Sequence, residues 1–369
     1  MNDFVICATR SMKQYAARVI AHLAKLPDFS GCGAIAHRES FAGTELLHTE
    51  RFANGELEVE VNESIRGRDV IIFSSSARNE AGIGVEEAKL ELYHAIDAIK
   101  RSQAARIIVF ETFVSCSRSD RTTRRNSVGL WVHLKILASL GAQHIVTYQL
   151  HSDKSKSMID PTICALDDIP GLPLLKQYLC DTYIQNLDRP ENEVRPQWAF
   201  CSVDAGGEKL TRRFANAFGA PLVIAHKQRH PSRANTVESI NILTAEPIEG
   251  KSLWIVDDMV DTAGSVESLI RALAPLGPRE INLIAVHALF SPPATQRLAA
   301  LAQEGLLKHI MVTDTVSCPD ALSALPFIEI VPSTGLSAQI IKTIVTNSSM
   351  NQLLQPFDAG VYLRQRAVQ

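Results

Sequence analysis

The stretch Leu253-Trp254-Ile255-Val256-Asp257-Asp258-Met259-Val260-Asp261-Thr262-Ala263-Gly264-Ser265 decides the fold. Its first four residues are a short, wholly apolar run, the pattern of a strand buried on both faces. From Ser265 to Leu276 the apolar residues recur every three or four positions, which predicts a helix. Between them lie acidic, small and hydroxylated residues. A strand, a short polar loop and a helix make half of a βαβ unit, and in open α/β sheets ligands collect at the carboxyl ends of the strands.

The same rhythm extends outward in both directions. Leu222–Ile224 and Trp198–Val203 read as strands, with a helix over Glu208–Phe218 stopped by Gly219. Ile281–Val286 is the next strand downstream. Towards the amino terminus, Phe4–Ala8, Val70–Phe73, Arg106–Phe110 and Ile145–Leu150 are further strands. Val85, Ala88, Leu92, Ile96 and Ile99 mark one face of a helix, and Val128–Leu140 forms another, ended by Gly141. Such alternation predicts an α/β protein with mainly parallel sheets flanked by helices. The polar segment Asp188–Pro196 reads as a surface loop.

A chain of 369 residues has room for two domains. Its 46% hydrophobic and 21% charged residues are those of a globular protein without a membrane span. The net charge of −3 gives no general attraction to nucleic acid or to an anionic membrane. An anionic ligand must therefore be held by a local site. Seven scattered cysteines with no C-x-x-C pair argue against a disulfide framework or zinc site, and for a reducing cytoplasm.

In the deciding stretch, small residues let backbone N–H groups approach a phosphate. The helix N-terminus adds partial positive charge, and Thr262 and Ser265 add hydroxyl donors. Asp257 and Asp258 would repel a phosphate at close range, so they are better placed on neutral hydroxyls. A phosphate at one end and a vicinal diol at the other describe ribose 5-phosphate. The segment resembles the phosphoribosyl-binding loop of type I phosphoribosyltransferases and of ribose-phosphate diphosphokinases.

Three further segments separate these groups. Arg51-Phe52-Ala53-Asn54-Gly55-Glu56 is a turn leading into an alternating strand from Leu57. Phe52 can stack on a base while Asn54 and Glu56 bond its edge. In Ser117-Arg118-Ser119-Asp120-Arg121 two arginines flank an aspartate, an arrangement that can hold a polyphosphate. His226-Lys227-Gln228-Arg229-His230-Pro231-Ser232-Arg233 is a compact basic loop after the strand Leu222–Ile224, placed to close over an anionic transition state.

Taken in this order, the segments resemble the ribose-phosphate diphosphokinase family over roughly residues 50 to 340. Gln149-Leu150-His151-Ser152 and Ser202-Val203-Asp204-Ala205-Gly206-Gly207 match two more of its motifs. The resemblance implies two similar domains of type I phosphoribosyltransferase-like fold, over 1–165 and 166–345, with a tail over 346–369. It implies ATP contacts at Phe52, Asn54 and Glu56, donated by a neighbouring subunit, and at Arg118, Ser119 and Arg121. Lys227 and Arg229 would be catalytic. Arg229, Asp257, Asp258, Asp261, Thr262, Ala263, Gly264 and Ser265 would hold ribose 5-phosphate. His151 and Asp204 match the positions assigned to magnesium. The implied reaction transfers diphosphate from ATP to the C1 hydroxyl of ribose 5-phosphate in a homo-oligomer, dimer or hexamer.

The chain departs from the family pattern at Ser119, Gln149, Gln228, Ala263 and Ser265, and in the wording of Glu111–Cys116. Two alternatives stand beside the synthetase. One is a type I phosphoribosyltransferase; the other is a non-catalytic regulatory paralogue, whose telltale would be loss of Lys227.

Overall fold

Phe4, Ile6 and Ala8 of the opening strand pack on one side of a sheet, Val5 and Cys7 on the other, and both sides are buried. The period-two alternation of a strand explains why an all-apolar run is needed there. The computed structural model describes residues 3–29, 46–77, 79, 82–122, 125–184, 190–229, 237–317, 325–355 and 357–366. At residues 28, 190–193, 227–229, 237–239, 363 and 366 it describes the backbone alone.

The chain forms two compact units. The first gathers the described residues of 1–170, 315–317 and 332–355. Its strands are β1 (Phe4–Ala8), β2 (Leu47–Arg51), β3 (Leu57–Val61), β4 (Asp69–Ser74), β5 (Arg106–Glu111), β6 (His144–Tyr148) and β7 (Ala165–Ile169). Helices α1 (Lys13–Leu23), α2 (Val85–Arg101) and α3 (Gly129–Leu140) connect them. The sheet runs β1-β4-β5-β6-β7, parallel throughout, and β2 and β3 form a separate antiparallel hairpin.

The second unit holds α4 (Leu172–Leu179), α5 (Pro190–Gln197), β8 (Trp198–Ser202), α6 (Glu208–Phe218), β9 (Leu222–Arg229) and β10 (Val237–Thr244). These are followed by β11 (Ser252–Val260), α7 (Gly264–Leu273), β12 (Glu280–Ala288), α8 (Ala294–Gln303), β13 (His309–Thr313) and β14 (Ile328–Val331). The chain then adds α9 (Thr334–Val345) to the first unit and α10 (Ala359–Arg366) to the second. The sheet order is β10-β9-β8-β11-β12-β13-β14, parallel except for the β9–β10 pair.

A division of the chain near residue 165 puts α9 in the C-terminal half. In the structure α9 lies on α1, burying Ile340, Ile341 and Ile344 in the first unit's core. Each isoleucine contributes about 1.5–3 kcal/mol when fully buried, enough to fix where the helix docks. The Tyr15 hydroxyl also meets Ser333 Oγ at 2.7 Å and Ser337 Oγ at 2.8 Å.

Three expectations are corrected. Residues 190–196 of the proposed surface loop lie in α5, with Pro190 at the helix start, where its missing N–H costs nothing, and Val194 buried. The strand expected over Leu253–Val256 continues to Val260, because Met259 and Val260 are also buried and paired to β12. Lys227 and Arg229 do not follow a strand in a loop. Their backbones pair with Ile240 and Val237 in the β9–β10 ladder, and residues 230–233 of the basic segment lie outside the described residues.

Candidate functional site

The sheet of the second unit reverses its direction of growth between β8 and β11. From β8 the chain crosses through α6 to β9 on one side; from β11 it crosses through α7 to β12 on the other. Connections that diverge from two adjacent parallel strands leave a crevice at their carboxyl ends. Asp204 follows β8, Asp257 and Asp258 lie in the last turns of β11, and 261–263 lead into α7.

The acidic residues are close enough to oppose one another. Asp257 is half-buried and Asp258 is 9% exposed. Burial first, then the negative charges of Asp258 and Asp204, push the Asp257 carboxyl well above the usual carboxylate range. The Asp258 N–H donates to Asp257 Oδ1 at 2.9 Å. Asp204 Oδ1 accepts from the Gly207 N–H at 3.1 Å, and a Cβ on Gly206 would stand 3.1 Å from the same oxygen. Gly206 thus leaves room for the Asp204 carboxylate to close the turn.

The loop after β11 is shaped for an anion. Ala263 is the N-cap of α7, in the left-handed conformation at φ +59°, and has no side-chain oxygen to offer the first-turn N–H groups. Those donors and the helix dipole point at whatever occupies the loop. Asp261 is half-buried, and Thr262 and Ser265 are exposed beside them.

Sequence reading missed Arg297 of α8. Its Nη1 donates to the Thr262 carbonyl at 2.9 Å and its Nε lies 3.3 Å from Glu267 Oε2. A Cβ on Gly264 would come within 2.9 Å of that Nη1, so glycine is what lets the guanidinium support the loop from behind. Its partner is a backbone carbonyl 35 positions away, and a carbonyl carries no residue-type signal.

The residues that the resemblance implies for ATP lie in the first unit. Phe52, Asn54 and Glu56 are exposed on the turn of the β2–β3 hairpin, with Phe52 41% exposed. The Phe52 N–H donates to the Glu56 carbonyl at 2.9 Å, and Gly55 adopts φ +93° to close the turn. The hairpin and the α2 face carrying Leu90, His94 and Arg101 enclose a groove of about 870 Å³. Arg118 and Arg121 are exposed on the segment between β5 and α3. Ser119, half-buried there, turns inward: its Oγ accepts from the Gly129 N–H at 3.0 Å at the start of α3. His151 is exposed, three residues past β6.

As oxygen donors, Asp204, Asp257 and Asp258 suit magnesium, and a divalent cation would relieve the repulsion that raises Asp257. Among the described residues no group of three or more His, Cys, Asp or Glu forms a closed metal cage. Magnesium, which keeps waters and takes substrate phosphates, does not require one.

Comparison with known proteins follows the same division. The N-terminal domain of ribose phosphate pyrophosphokinase matches residues 4–141, and the phosphoribosyl transferase domain matches residues 178–300. A ribose-phosphate pyrophosphokinase of Chlorobaculum tepidum is 32% identical over 318 residues, 85% of this chain and 89% of the relative. One from Fusobacterium nucleatum is 30% identical over 315 residues, 85% of this chain and 92% of the relative. The crystal structure of phosphoribosylpyrophosphate synthetase from Mycobacterium smegmatis superposes with a TM-score of 0.76, over 94% of this chain and 100% of that one, at 24% identity.

Proposed function

The chain belongs to the ribose-phosphate pyrophosphokinase family, and from that premise we propose how its residues divide the reaction. The enzyme transfers diphosphate from ATP to the C1 hydroxyl of ribose 5-phosphate, giving 5-phosphoribosyl diphosphate and AMP. The sugar oxygen attacks the β-phosphorus of ATP and AMP leaves.

The crevice at the strand reversal takes the sugar. Ala263, Gly264 and Ser265 present backbone N–H groups to the 5-phosphate, with Asp261 and Thr262 completing the loop. Asp257 and Asp258 accept hydrogen bonds from the ribose hydroxyls. The observation that carries this reading is the conjunction at β11 of an uncapped helix N-terminus and two crowded carboxylates. An anion-binding end and a hydroxyl-binding end sit on one strand–loop–helix segment.

ATP is assigned to the first unit's elements. Phe52, Asn54 and Glu56 serve the base, and Arg118, Ser119 and Arg121 the phosphates. Lys227 and Arg229 neutralise charge developing on the transferred group, as preorganised cations do in a water-excluded site. His151 in the first unit and Asp204 in the second are the candidate magnesium residues, and magnesium bound with substrate oxygens would supply further neutralisation of the triphosphate. The homo-oligomer is supported by the exposed hairpin and by Leu90, Trp131 and Val132, large apolar side chains exposed on α2 and α3. The free thiols of Cys7, Cys116 and Cys164 support a cytoplasmic setting. No helix among the described residues is long and apolar enough to cross a membrane.

The test is AMP formation from ATP with magnesium, with and without ribose 5-phosphate. AMP appearing only with the sugar phosphate is expected. AMP formed equally without it, or 5-phosphoribosyl diphosphate consumed with a nucleobase and no ATP, would overturn the assignment.

A further inference from the structure

A chain of polar side chains, buried except for the half-buried Tyr93, runs through the first unit to the segment that carries Arg118 and Arg121. Glu111, the last residue of β5, is fully buried, and His133 on α3 is 2% exposed. Their side chains meet at 2.7 Å between Nε2 and Oε2. The other ring nitrogen, Nδ1, lies 2.7 Å from the hydroxyl of Tyr93 on α2. The other carboxylate oxygen accepts from Ser76 Oγ at 2.6 Å, and Ser76 Oγ in turn accepts from the Ser115 N–H at 2.9 Å.

The donors and acceptors fit one consistent order. With His133 Nε2 donating to the Glu111 carboxylate, Nδ1 is left to accept from the Tyr93 hydroxyl. Burial, and then the Glu111 charge, raise the Tyr93 hydroxyl far above its ordinary range, so it remains a donor. Every bond therefore converges on Glu111. Charge-assisted bonds of this kind, away from water, are among the stronger restraints available to a side chain.

The network's position gives it a task. Glu111 and His133 sit on the two elements that begin and end residues 112–128, the segment carrying Arg118 and Arg121. Ser115 attaches the segment itself to the network, and Ser119 ties it to the start of α3. We propose that the Ser76–Glu111–His133–Tyr93 network is a positioning device that holds Arg118 and Arg121 in register for the triphosphate of ATP. None of its members touches substrate. The inference rests on the assignment of Arg118 and Arg121 to the ATP phosphates.

The experiment compares initial-rate kinetics for His133→Gln, Glu111→Gln, Tyr93→Phe and Arg118→Ala, with thermal melts of each. Loss of one such bond predicts an ATP KM raised about tenfold for His133→Gln and Glu111→Gln. The KM for ribose 5-phosphate should stay within about twofold. Tyr93→Phe, which keeps the packing and deletes only the outer bond, should raise the ATP KM about threefold. In an Arg118→Ala, Arg121→Ala background, His133→Gln should add less than about twofold, because the groups it positions are gone.

Lowered melting temperatures with an unchanged ATP KM, or full additivity in the arginine-free background, would overturn the proposal. Should Arg118→Ala itself leave the ATP KM unchanged, the phosphate assignment fails instead, and the two failures are told apart.

Discussion

Both units are built on mainly parallel sheets flanked by helices, yet they carry their candidate ligand-binding residues in different places. In the first, the order β1-β4-β5-β6-β7 adds each strand on the same side of the last, so successive connections lean the same way. In the second, growth reverses between β8 and β11, and the loops part. The reversal opens a crevice within the sheet architecture, and Asp204, Asp257, Asp258 and the α7 N-terminus line its strand ends. The first unit has no such opening among its described strands. Its candidate residues stand on additions to the sheet, the β2–β3 hairpin and the segment between β5 and α3. A binding site built into strand ends is rigid from the start, whereas one built on additions needs its own supports. The buried Glu111–His133 pair is a support of that kind.

The proposed function puts the acceptor sugar on the second unit and ATP on the first, with Lys227 as the proposed catalytic cation. Lys227→Ala should produce the largest single effect, a loss of roughly 10²–10³ in kcat. ATP binding, measured by equilibrium titration, should change far less. If nucleotide affinity fell by as much as turnover, the lysine would be a binding group and the division would be broken.

Asp257→Asn probes the acceptor half from two sides. On the proposed assignment it replaces one acceptor oxygen by an NH2 and removes the charge from a group that bonds the ribose hydroxyls, so the KM for ribose 5-phosphate should rise about tenfold while that for ATP stays nearly constant. Stability should move the other way. A carboxyl raised by burial and by neighbouring carboxylates binds a proton in the folded state at pH values where the unfolded chain has already released it. The wild type therefore loses stability as pH climbs from the ordinary aspartate range through the raised value. Asparagine escapes that loss. Above this window the variant should melt higher, on the order of 2–4 °C for each kcal/mol recovered in a unit of this size. Equal melting curves at pH 5 and pH 8 would remove the crowding argument, and an equal rise in both KM values would blur the boundary between the units.

What the sequence disclosed depended on the range of the interactions. The strands β1, β4, β5 and β8 were legible because each has a central apolar run buried on both faces. The strand–loop–helix from β11 to α7 was legible because its pattern is contained in consecutive residues, Leu253–Ser265. The placement of α9 was not, since Tyr15 and Ser337 are 322 positions apart. Neither was the buried network. Glu111, His133 and Tyr93 lie on three different elements, and their burial follows from tertiary packing that no local pattern encodes. The one trace was negative: Glu111–Cys116 departs from the family's wording, and that is where the network meets the segment. Lys227 and Arg229 show a third case, a basic run whose residue types were informative while its backbone, paired in the β9–β10 ladder, was read as a loop.

The smallest effect concerns Ala263, where the family commonly has glycine. Its φ of +59° brings the alanine Cβ towards the following carbonyl, at a cost of roughly 1–2 kcal/mol. Glycine adopts this conformation freely but loses about 0.4–1 kcal/mol more chain entropy on folding. Ala263→Gly should therefore raise stability by about 1 kcal/mol or less, read as a small upward shift in the melting temperature. The missing methyl would also let the backbone move closer to the 5-phosphate, lowering the KM for ribose 5-phosphate about twofold to threefold, the scale of a few tenths of a kcal/mol. The ATP KM should not move. A destabilised variant with an unchanged sugar-phosphate KM would show that Ala263 is matched to its loop, and that the acceptor site in this chain tolerates a side chain where the sheet reversal brings the helix N-terminus up to the phosphate.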